Sequence, residues 1–293
     1  MALRTLLYLL LLASLWGPSF FFIRLAVEDI PPITLVAGRM VGATALLYGL
    51  MRLRGGRLPR DPAVWRRFAF VALTGTAVPF VLVSWGEQFI DTALASILNA
   101  TVPLFTLVLA HFFTADDRLT WRKGFGVLLG LLGTVLLIAP SVGEGSEVGV
   151  LGLLAVLVAS LGYSVSGVYT RIHMRGMAPM VAPTMQFLIS GVLLVPLSLA
   201  VDRPWTLAAP SPTAWGGFLA LIVFGSVLAF VVYYRLLEIA TASTISMCTY
   251  LIPVVGVGLG VSVLGETLPP SAYVASGAIL LGVLVVNGLP RRA

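Results

Sequence analysis

The chain has few residues of the kinds that soluble enzymes and metalloproteins use. Only 10% of its 293 residues are charged, and it contains one cysteine and two histidines. Since Cys248 has no second cysteine to join, an intrachain disulfide is excluded. His111 and His173 share no ligand spacing with cysteine or carboxylates, so we expect no metal site.

Catalytic groupings are also missing. No glycine-rich loop precedes a Lys-Ser or Lys-Thr pair, which argues against ATP-driven pumping by this chain alone. An intramembrane enzyme would need a Ser-Lys, Asp-Asp or His-metal grouping, and the only lysine, Lys123, falls in a predicted loop. We therefore expect a protein that is not an enzyme and uses no cofactor.

Apolar residues dominate instead. They make up 59% of the chain, and the mean hydropathy is +1.03, which is too apolar for a soluble globule. A helix needs about 20 apolar residues to cross the hydrocarbon core of a bilayer. The pattern predicts an all-α polytopic membrane protein with ten transmembrane helices, near residues 5–27, 32–52, 67–89, 92–113, 120–139, 148–172, 178–200, 213–237, 242–264 and 269–289.

Charged residues are distributed unevenly between the two sets of connections. Lysine and arginine in short loops are retained on the cytoplasmic side of a membrane. By this rule both termini are predicted to be cytoplasmic, in the cell inner membrane, because cations gather on one side at Arg4, Arg52, Arg54, Arg57, Arg60, Arg66, Arg67, Arg118, Arg122, Lys123, Arg171, Arg175, Arg291 and Arg292. We interpret the net charge of +6 as this asymmetry and expect no nucleic-acid partner.

The second half of the chain resembles the first when it is shifted by 150 residues. This shift aligns Gly75 with Gly225, Phe80 with Phe230, Ser96 with Ser246, Pro103 with Pro253 and Asp116 with Glu266. We predict two repeats, residues 1–145 and 146–293, of five helices each. Because five crossings place the second repeat on the opposite face of the membrane, the repeats must be inverted, with a substrate site near the midplane where they meet.

The prolines of the fourth and ninth helices mark that site in the sequence. Proline removes one helical hydrogen bond and kinks the axis, so Pro103 and Pro253 are candidate hinges. Polar residues precede each proline on one helix face: Ser96 and Asn99 in the first repeat, Ser246 and Thr249 in the second. Such residues also serve as helix-packing contacts in membranes, and both interpretations stay open here.

Aromatic and polar residues at helical spacing predict a cavity for an amphipathic solute. Aromatic residues also anchor helices at membrane interfaces, which is an equal alternative for Trp85 and Tyr234. The residues expected to bind substrate are Trp16, Phe20, Phe80, Ser84, Asn99, Tyr163, Phe230, Tyr234, Ser246 and Tyr250.

Two charged residues within the predicted spans are functional candidates because charges are costly in lipid. Arg39 would attract a substrate carboxylate, and Glu87 is the best carboxylate for coupling to protons. The alternative is a set of ion pairs that join the helix ends, with Arg24, Glu28 and Asp29 as further members.

These features together resemble the EamA branch of the drug/metabolite transporter superfamily. The resemblance is based on Trp16-Gly17-Pro18-Ser19-Phe20 in the first helix, Arg39 in the second, the two prolines, and Leu264-Gly265-Glu266-Thr267-Leu268 after the ninth. It covers the whole chain and implies an exporter of amino acids or similar metabolites, with aromatic amino-acid exporters of the YddG type as one branch.

We therefore expect a secondary transporter that exports small amphipathic metabolites, most simply amino acids, by alternating access. Its partners would be that small solute, membrane lipid and, if Glu87 takes part, protons. The alternatives are an importer, a nucleotide-sugar-like carrier and a lipid flippase. A carrier of nucleotide sugars should have more basic residues in its cavity than the middle of these spans supplies.

Overall fold

The structure is a computed structural model that describes residues 3–114, 120–143, 147–174, 176–240, 245 and 247–287. Every regular element in these ranges is helical, which confirms the all-α class. In chain order the α-helices are α1 (Leu3–Trp16), α2 (Ser19–Val27), α3 (Pro32–Leu53), α4 (Pro62–Ala72), α5 (Val78–Gly86), α6 (Thr92–Asn99), α7 (Val102–Phe113), α8 (Trp121–Gly143), α9 (Glu147–His173), α10 (Val181–Val201), α11 (Pro212–Ala220), α12 (Ala229–Ile239), α13 (Leu251–Ser262) and α14 (Pro270–Asn287).

Eight helical stretches of the described residues are long and apolar enough to cross a membrane. They are Leu3–Val27, Pro32–Leu53, Pro62–Gly86, Thr92–Phe113, Trp121–Ala139, Glu147–His173, Val181–Val201 and Pro212–Ile239. The chain is therefore a multi-pass membrane protein. The predicted ninth and tenth spans coincide with shorter apolar helices, Leu251–Ser262 and Pro270–Gly282, so a total of ten crossings stays a prediction.

The third stretch differs from its predicted bounds. It begins at Pro62, where Asp61 accepts a hydrogen bond from the amide of Ala63 at 2.8 Å and so caps α4. It ends at Gly86 rather than at residue 89. Glu87 consequently lies in the connection after the helix and not within the span.

Two interruptions of α-helical geometry occur at related places. Residues Leu73–Ala77 join α4 to α5 as a π-helical segment, and Leu221–Leu228 join α11 to α12 in the same way. The segments contain Gly75 and Gly225, which are 150 residues apart. Since π-helical turns are rare and are often found at functional sites, their repetition marks this level of the bundle.

Contacts between the two halves of the chain follow a regular scheme. The helices α3 and α10 pack together, as do α8 and α14, and α6 packs against α13. The helix α2 packs against α11, while α9 packs against α5. Each half therefore contacts the other through helices at matching positions.

Small residues allow some of these helices to approach closely. A methyl group on Gly256 of α13 would collide with Ser96 of α6. A methyl group on Gly133 of α8 would lie 2.8 Å from the carbonyl oxygen of Ala275 in α14. This is the small-residue packing that is typical of helices in membranes, and it favours the packing interpretation of Ser96.

Candidate functional site

A central cavity of about 160 Å³ lies between the two halves of the chain. A cavity of about 150 Å³ is large enough for a benzene-sized molecule. Its lining comes from both halves and consists of Trp16, Ser19, Phe20, Ile23, Arg39, Gly75, Phe80, Val83, Asn99, Val102, Thr106, Tyr163, Ser166, Gly167, Thr170, Gln186, Phe230, Tyr233, Leu237, Ile245, Cys248, Thr249 and Ile252.

Four aromatic rings form a chain across the cavity. The ring of Trp16 meets Phe230 edge-on at 5.7 Å, and Tyr163 meets Phe80 in the same way at 6.1 Å. Phe80 and Phe230 join the two pairs at 6.3 Å. Since Trp16 and Phe80 belong to the first half, and Tyr163 and Phe230 to the second, each half contributes a matching pair of rings.

Arg39 introduces a positive charge into this apolar surface. Its side chain is only 3% exposed, and its guanidinium group lies 4.2 Å from the ring centre of Phe80. Nε donates to the hydroxyl oxygen of Ser226 at 2.7 Å, and Nη2 donates to the carbonyl oxygen of Gly225 at 3.1 Å. These partners are neutral, so the hydrogen bonds hold the guanidinium in place without neutralising its charge. The hydrogen bonds thus favour the functional interpretation of Arg39 over the ion-pair alternative.

The second π-helical segment allows this arrangement because Gly225 has no side chain. A methyl group there would lie 2.9 Å from Ser19 Oγ and 3.0 Å from Arg39 Nη2. The first segment has the same construction, since a methyl group on Gly75 would lie 3.2 Å from the amide nitrogen of Gln186. Arg39 and Gln186 are thus counterparts, one cationic and one neutral.

Gln186 is held by a residue that was expected to line the cavity. The hydroxyl group of Tyr234 donates to Gln186 Oε1 at 2.8 Å, and both side chains are 2% exposed. This hydrogen bond directs the Gln186 amide, which does line the cavity. Tyr234 itself lies outside the lining, next to Gln186 and edge-on to the ring of Tyr233, which also lines the cavity.

The helix that carries Asn99 is broken at the level of the cavity. The helix α6 ends at Asn99, and α7 begins at Val102. Pro103 has no N–H to donate to the carbonyl group of Asn99, four residues earlier, which is the direct cause of the break. The prediction of a kink is therefore refined: Pro103 lies in the first turn of a new helix, a position that suits proline.

The corresponding part of the second half is similar in outline. A short 3-10 turn, Met247–Tyr250, precedes α13, and Pro253 lies in the first turn of α13. Thr249 lines the cavity as Asn99 does. Ser246 lies outside the described residues, as does the side chain of Tyr250.

Polar residues at one end of the bundle tie several helices together. We call this the Glu87 end, and it comprises the connections that contain Asp29, Glu87, Asp91, Asp202 and Glu266. Glu266 accepts hydrogen bonds from the amides of Thr92 and Ala93 at 2.8 and 2.9 Å, and so caps α6.

Two other acids act similarly at the same end. Asp202 Oδ2 accepts from the amide and from the hydroxyl group of Thr34 in α3, both at 2.8 Å. Asp29 accepts from the amide of Ser211 at 2.8 Å. Hydrogen bonding by the side chain of Ser211, and next by its amide, lowers the pKa of the Asp29 carboxyl group. These carboxylates join helix ends by binding backbone amides.

Most of the residues predicted to bind substrate meet in this cavity. Those that line it are Trp16, Phe20, Phe80, Asn99, Tyr163 and Phe230, and Arg39, which was predicted to attract a substrate carboxylate, lines it as well. Ser84 is buried outside the lining, and Glu87 is buried at the Glu87 end.

Gln186 and Ser166 belong to the lining but were not predicted. A signal for Gln186 exists, since a shift of 147 residues aligns Trp16 with Tyr163 and Arg39 with Gln186. The shift of 150 residues that aligns the later helices hides this match.

Comparisons with known proteins agree with this architecture. The sequence model of the EamA-like transporter family matches twice, over residues 3–139 and 150–288. An uncharacterized inner membrane transporter of Escherichia coli K12, YedA, is 32% identical over 93% of this chain and 87% of its own length. An S-adenosylmethionine/S-adenosylhomocysteine transporter of Chlamydia muridarum is 24% identical over 94% of this chain and 88% of its own length.

A solved crystal structure supports the fold. It matches with a TM-score of 0.72 at 21% identity, covering 97% of this chain and 96% of the other. Because one family model accounts for nearly the whole chain in two adjacent segments, and because the apolar helices enclose a central cavity, this protein belongs to the EamA-like transporter family of the drug/metabolite transporter superfamily.

Proposed function

We propose that the chain is a secondary transporter that exports small amphipathic metabolites, amino acids first among them, across the bacterial inner membrane by alternating access. The observation that carries this proposal is the composition of the cavity. Aromatic rings surround it, and Arg39 is the single formally charged residue among the described residues that line it. Such a surface suits a solute with an apolar body and one carboxylate.

Arg39 would bind the carboxylate of the substrate. A guanidinium group presents paired N–H donors that match a carboxylate, and its interaction is strengthened where water is excluded. The rings of Trp16, Phe80, Tyr163 and Phe230 offer faces for an apolar side chain and for an ammonium group. The carbonyl group of Asn99, left without its helical donor by Pro103, is a further acceptor for an ammonium group.

Two observations support amino acids as the solute class. The cavity volume of about 160 Å³ suits a small molecule. The Chlamydia relative is named as a transporter of S-adenosylmethionine, which contains an amino-acid group. A nucleotide sugar carries two phosphate groups, whereas the described lining holds one cation.

Alternating access would use two inverted five-helix repeats, residues 1–145 and 146–293. The double family match, the matching helix contacts and the paired π-helical segments support this division. The breaks before Pro103 and Pro253 would let α7 and α13 change direction relative to the segments before them.

The binding of radiolabelled phenylalanine and leucine to purified protein tests the role of Arg39. Loss of a charge-assisted hydrogen bond costs about 1.5–3 kcal/mol, so Arg39→Gln should weaken binding about 10- to 150-fold. The control is Arg235→Gln, since Arg235 is exposed and pairs with Glu238 at 3.3 Å. Equal affinity in Arg39→Gln and the unmodified protein would contradict the carboxylate site, and absence of binding to both amino acids in the unmodified protein would contradict the solute class.

A further inference from the structure

We propose that Glu87 is a proton-binding site that controls closure of the Glu87 end: the protonated carboxyl group stabilises the closed arrangement, and loss of the proton favours opening. This inference rests on the proposed function in one respect, namely that the end opens and closes during transport. It gives the transporter a dependence on pH that the central cavity alone does not provide.

The position of the Glu87 carboxyl group favours its protonated form. Glu87 directly follows the span that ends at Gly86, and its side chain is 0% exposed. Oε2 lies 3.5 Å from the hydroxyl oxygen of Thr92, at the limit of a hydrogen bond, and Oε1 has no hydrogen-bond partner among the described residues. A buried carboxylate with this poor set of partners is costly, so the closed arrangement favours the neutral acid.

The charged neighbours of Glu87 also favour its protonated form. Glu266 interacts electrostatically with Glu87 and with Asp91. All three residues are acidic. Arg24 of α2 is the nearby cation, but its Nη1 donates to the backbone carbonyl of Glu87 at 2.7 Å. The bond therefore holds the main chain in place and does not bring the guanidinium group onto the carboxyl group.

The other helices packed against α5, namely α3 and α9, do not change the balance of charge. The cation Arg39 of α3 is held at the cavity by Ser226 and Gly225. From α9, Tyr163 interacts electrostatically with Glu87, and Glu147 at the start of that helix is exposed. Glu266 has both oxygens occupied by the amides that begin α6. Within the described part of the chain, the acids near Glu87 thus outnumber the one cation.

The location of Glu87 links its proton to closure. Ile23 and Val83 line the cavity. Four residues after them lie Val27, at the end of α2, and Glu87, just after α5, and both are buried. Ile90 is buried in the same apolar cluster as Val27 and Val83. Glu87 therefore belongs to the layer that separates the cavity from the surface at this end, and opening would bring water to its carboxyl group.

The direction of the pH effect follows from this exposure. Burial, and next the charge of Glu266, raise the pKa of Glu87 in the closed arrangement, while Arg24 and Thr92 oppose the rise. Water in the open arrangement would return the pKa toward its ordinary value. The closed arrangement therefore binds the proton more tightly, so closure is fully stabilised below the ordinary pKa and loses this stabilisation as the pH rises toward the raised value.

Maleimide labelling of a cysteine at the Glu87 end tests the proposal without any substrate. The reporter is Val27→Cys in a Cys248→Ser background, since Val27 is 6% exposed and Cys248 is the only native cysteine. The protein is held in nanodiscs of phosphatidylcholine and phosphatidylglycerol. Labelling rates are measured at pH 6, 7 and 8 with and without Glu87→Gln, which keeps the shape of the neutral acid.

The ratio of the two rates cancels the intrinsic effect of pH on thiol reactivity. This ratio is the labelling rate in the protein that keeps Glu87 divided by the rate in the Glu87→Gln variant. We expect it to rise at least about fivefold from pH 6 to pH 8. One linked proton permits a change of at most about tenfold per pH unit. A ratio that does not change with pH would overturn the proposal. The matched control is Asp91→Asn, which should keep the pH profile; loss of the profile in that variant instead would assign the proton to Asp91.

A second measurement keeps the proposal testable if Glu87→Gln alters folding. Infrared spectroscopy of the unmodified protein at neutral pH should show the carbonyl stretch of a protonated carboxyl group, which Thr92→Val should shift in frequency. A spectrum with no protonated carboxyl band would overturn the proposal. Because neither experiment requires transport, failure of the proton site and failure of the transport function are distinguishable.

Discussion

Arg39 and Gln186 show how a single residue can distinguish two otherwise similar halves. Both are buried, both line the cavity, and each lies against the glycine of a π-helical segment. Only Arg39 carries a charge. A substrate carboxylate would therefore bind in one orientation, with its charged end toward the half of the cavity that contains Arg39.

Asp202 supports Arg39 from a distance because it holds the start of α3. Its two hydrogen bonds to Thr34 satisfy an amide that the helix leaves without a partner. We predict that Asp202→Ala lowers the free energy of unfolding by about 1–2 kcal/mol, in the range of helix caps and charged hydrogen bonds. Thermal unfolding in detergent should show a melting temperature several degrees lower.

The control for this prediction is Glu238→Ala, which removes an exposed ion pair with Arg235. Exposed pairs contribute about 0–1 kcal/mol, so the melting temperature should change little. An equal loss in both variants would contradict the capping role of Asp202.

Sequence reasoning located cavity-lining residues best where their chemistry conflicts with lipid. Arg39 and Asn99 were predicted as functional candidates because buried charges and amides need partners. Both side chains line the cavity. It failed for Gln186 because the second half has three more residues than the first between matching positions of its second and third membrane spans. One fixed shift of 150 residues therefore misaligns the first two spans of each half. It also failed for Tyr234, since a spacing rule does not reveal that a ring is directed toward a neighbouring amide.

At the scale of elements, the broken fourth span is the feature on which the proposed hinge depends. Residues Ala100 and Thr101 bond three residues back along the chain, to Ile97 and Leu98, before α7 begins. Proline in the sequence predicted a distortion but not its form. The form depends on the 3-10 bonds just before Pro103, which a kink within a continuous helix would not require.

We predict that Pro103→Ala slows transport more than it weakens binding. Alanine supplies the missing N–H to the carbonyl group of Asn99, which favours one continuous helix and stiffens the break. The rate of solute exchange in reconstituted vesicles should fall about tenfold or more, which corresponds to about 1.4 kcal/mol of added barrier. Binding of radiolabelled phenylalanine should change by less.

The control for the hinge is Pro62→Ala. Pro62 also lies in the first turn of a helix, α4, but follows a loop and not another helical segment. Its replacement should leave the exchange rate unchanged. An unaltered rate in Pro103→Ala would contradict the hinge.

At the scale of the whole molecule, composition predicted the fold class because lipid reverses the usual rule of burial. Large apolar side chains face outward, as in Trp121, which is 94% exposed, and Phe112 and Phe113. The polar residues Ser160, Ser164, Thr184 and Ser190 are fully buried between helices. Hydropathy detects this pattern directly.

The relation between the two halves explains why the cavity is central. Matching helices pack across the halves, and matching rings from Trp16, Phe80, Tyr163 and Phe230 meet between them. A rocking motion of one half against the other would open one end while closing the opposite end. The two predicted ligands, a carboxylate at Arg39 and a proton at Glu87, would then act on the same motion from different levels of the bundle.

The measurement that tests this account most directly is the efflux of radiolabelled amino acids from liposomes that contain the purified protein. Efflux is followed with and without an imposed pH gradient, and Arg39→Gln is reconstituted in parallel. We predict saturable efflux of at least one apolar amino acid, a strong reduction in Arg39→Gln, and a rate that changes with pH. Efflux of no amino acid above that of protein-free liposomes, from a preparation that is folded in detergent, would contradict the proposed function.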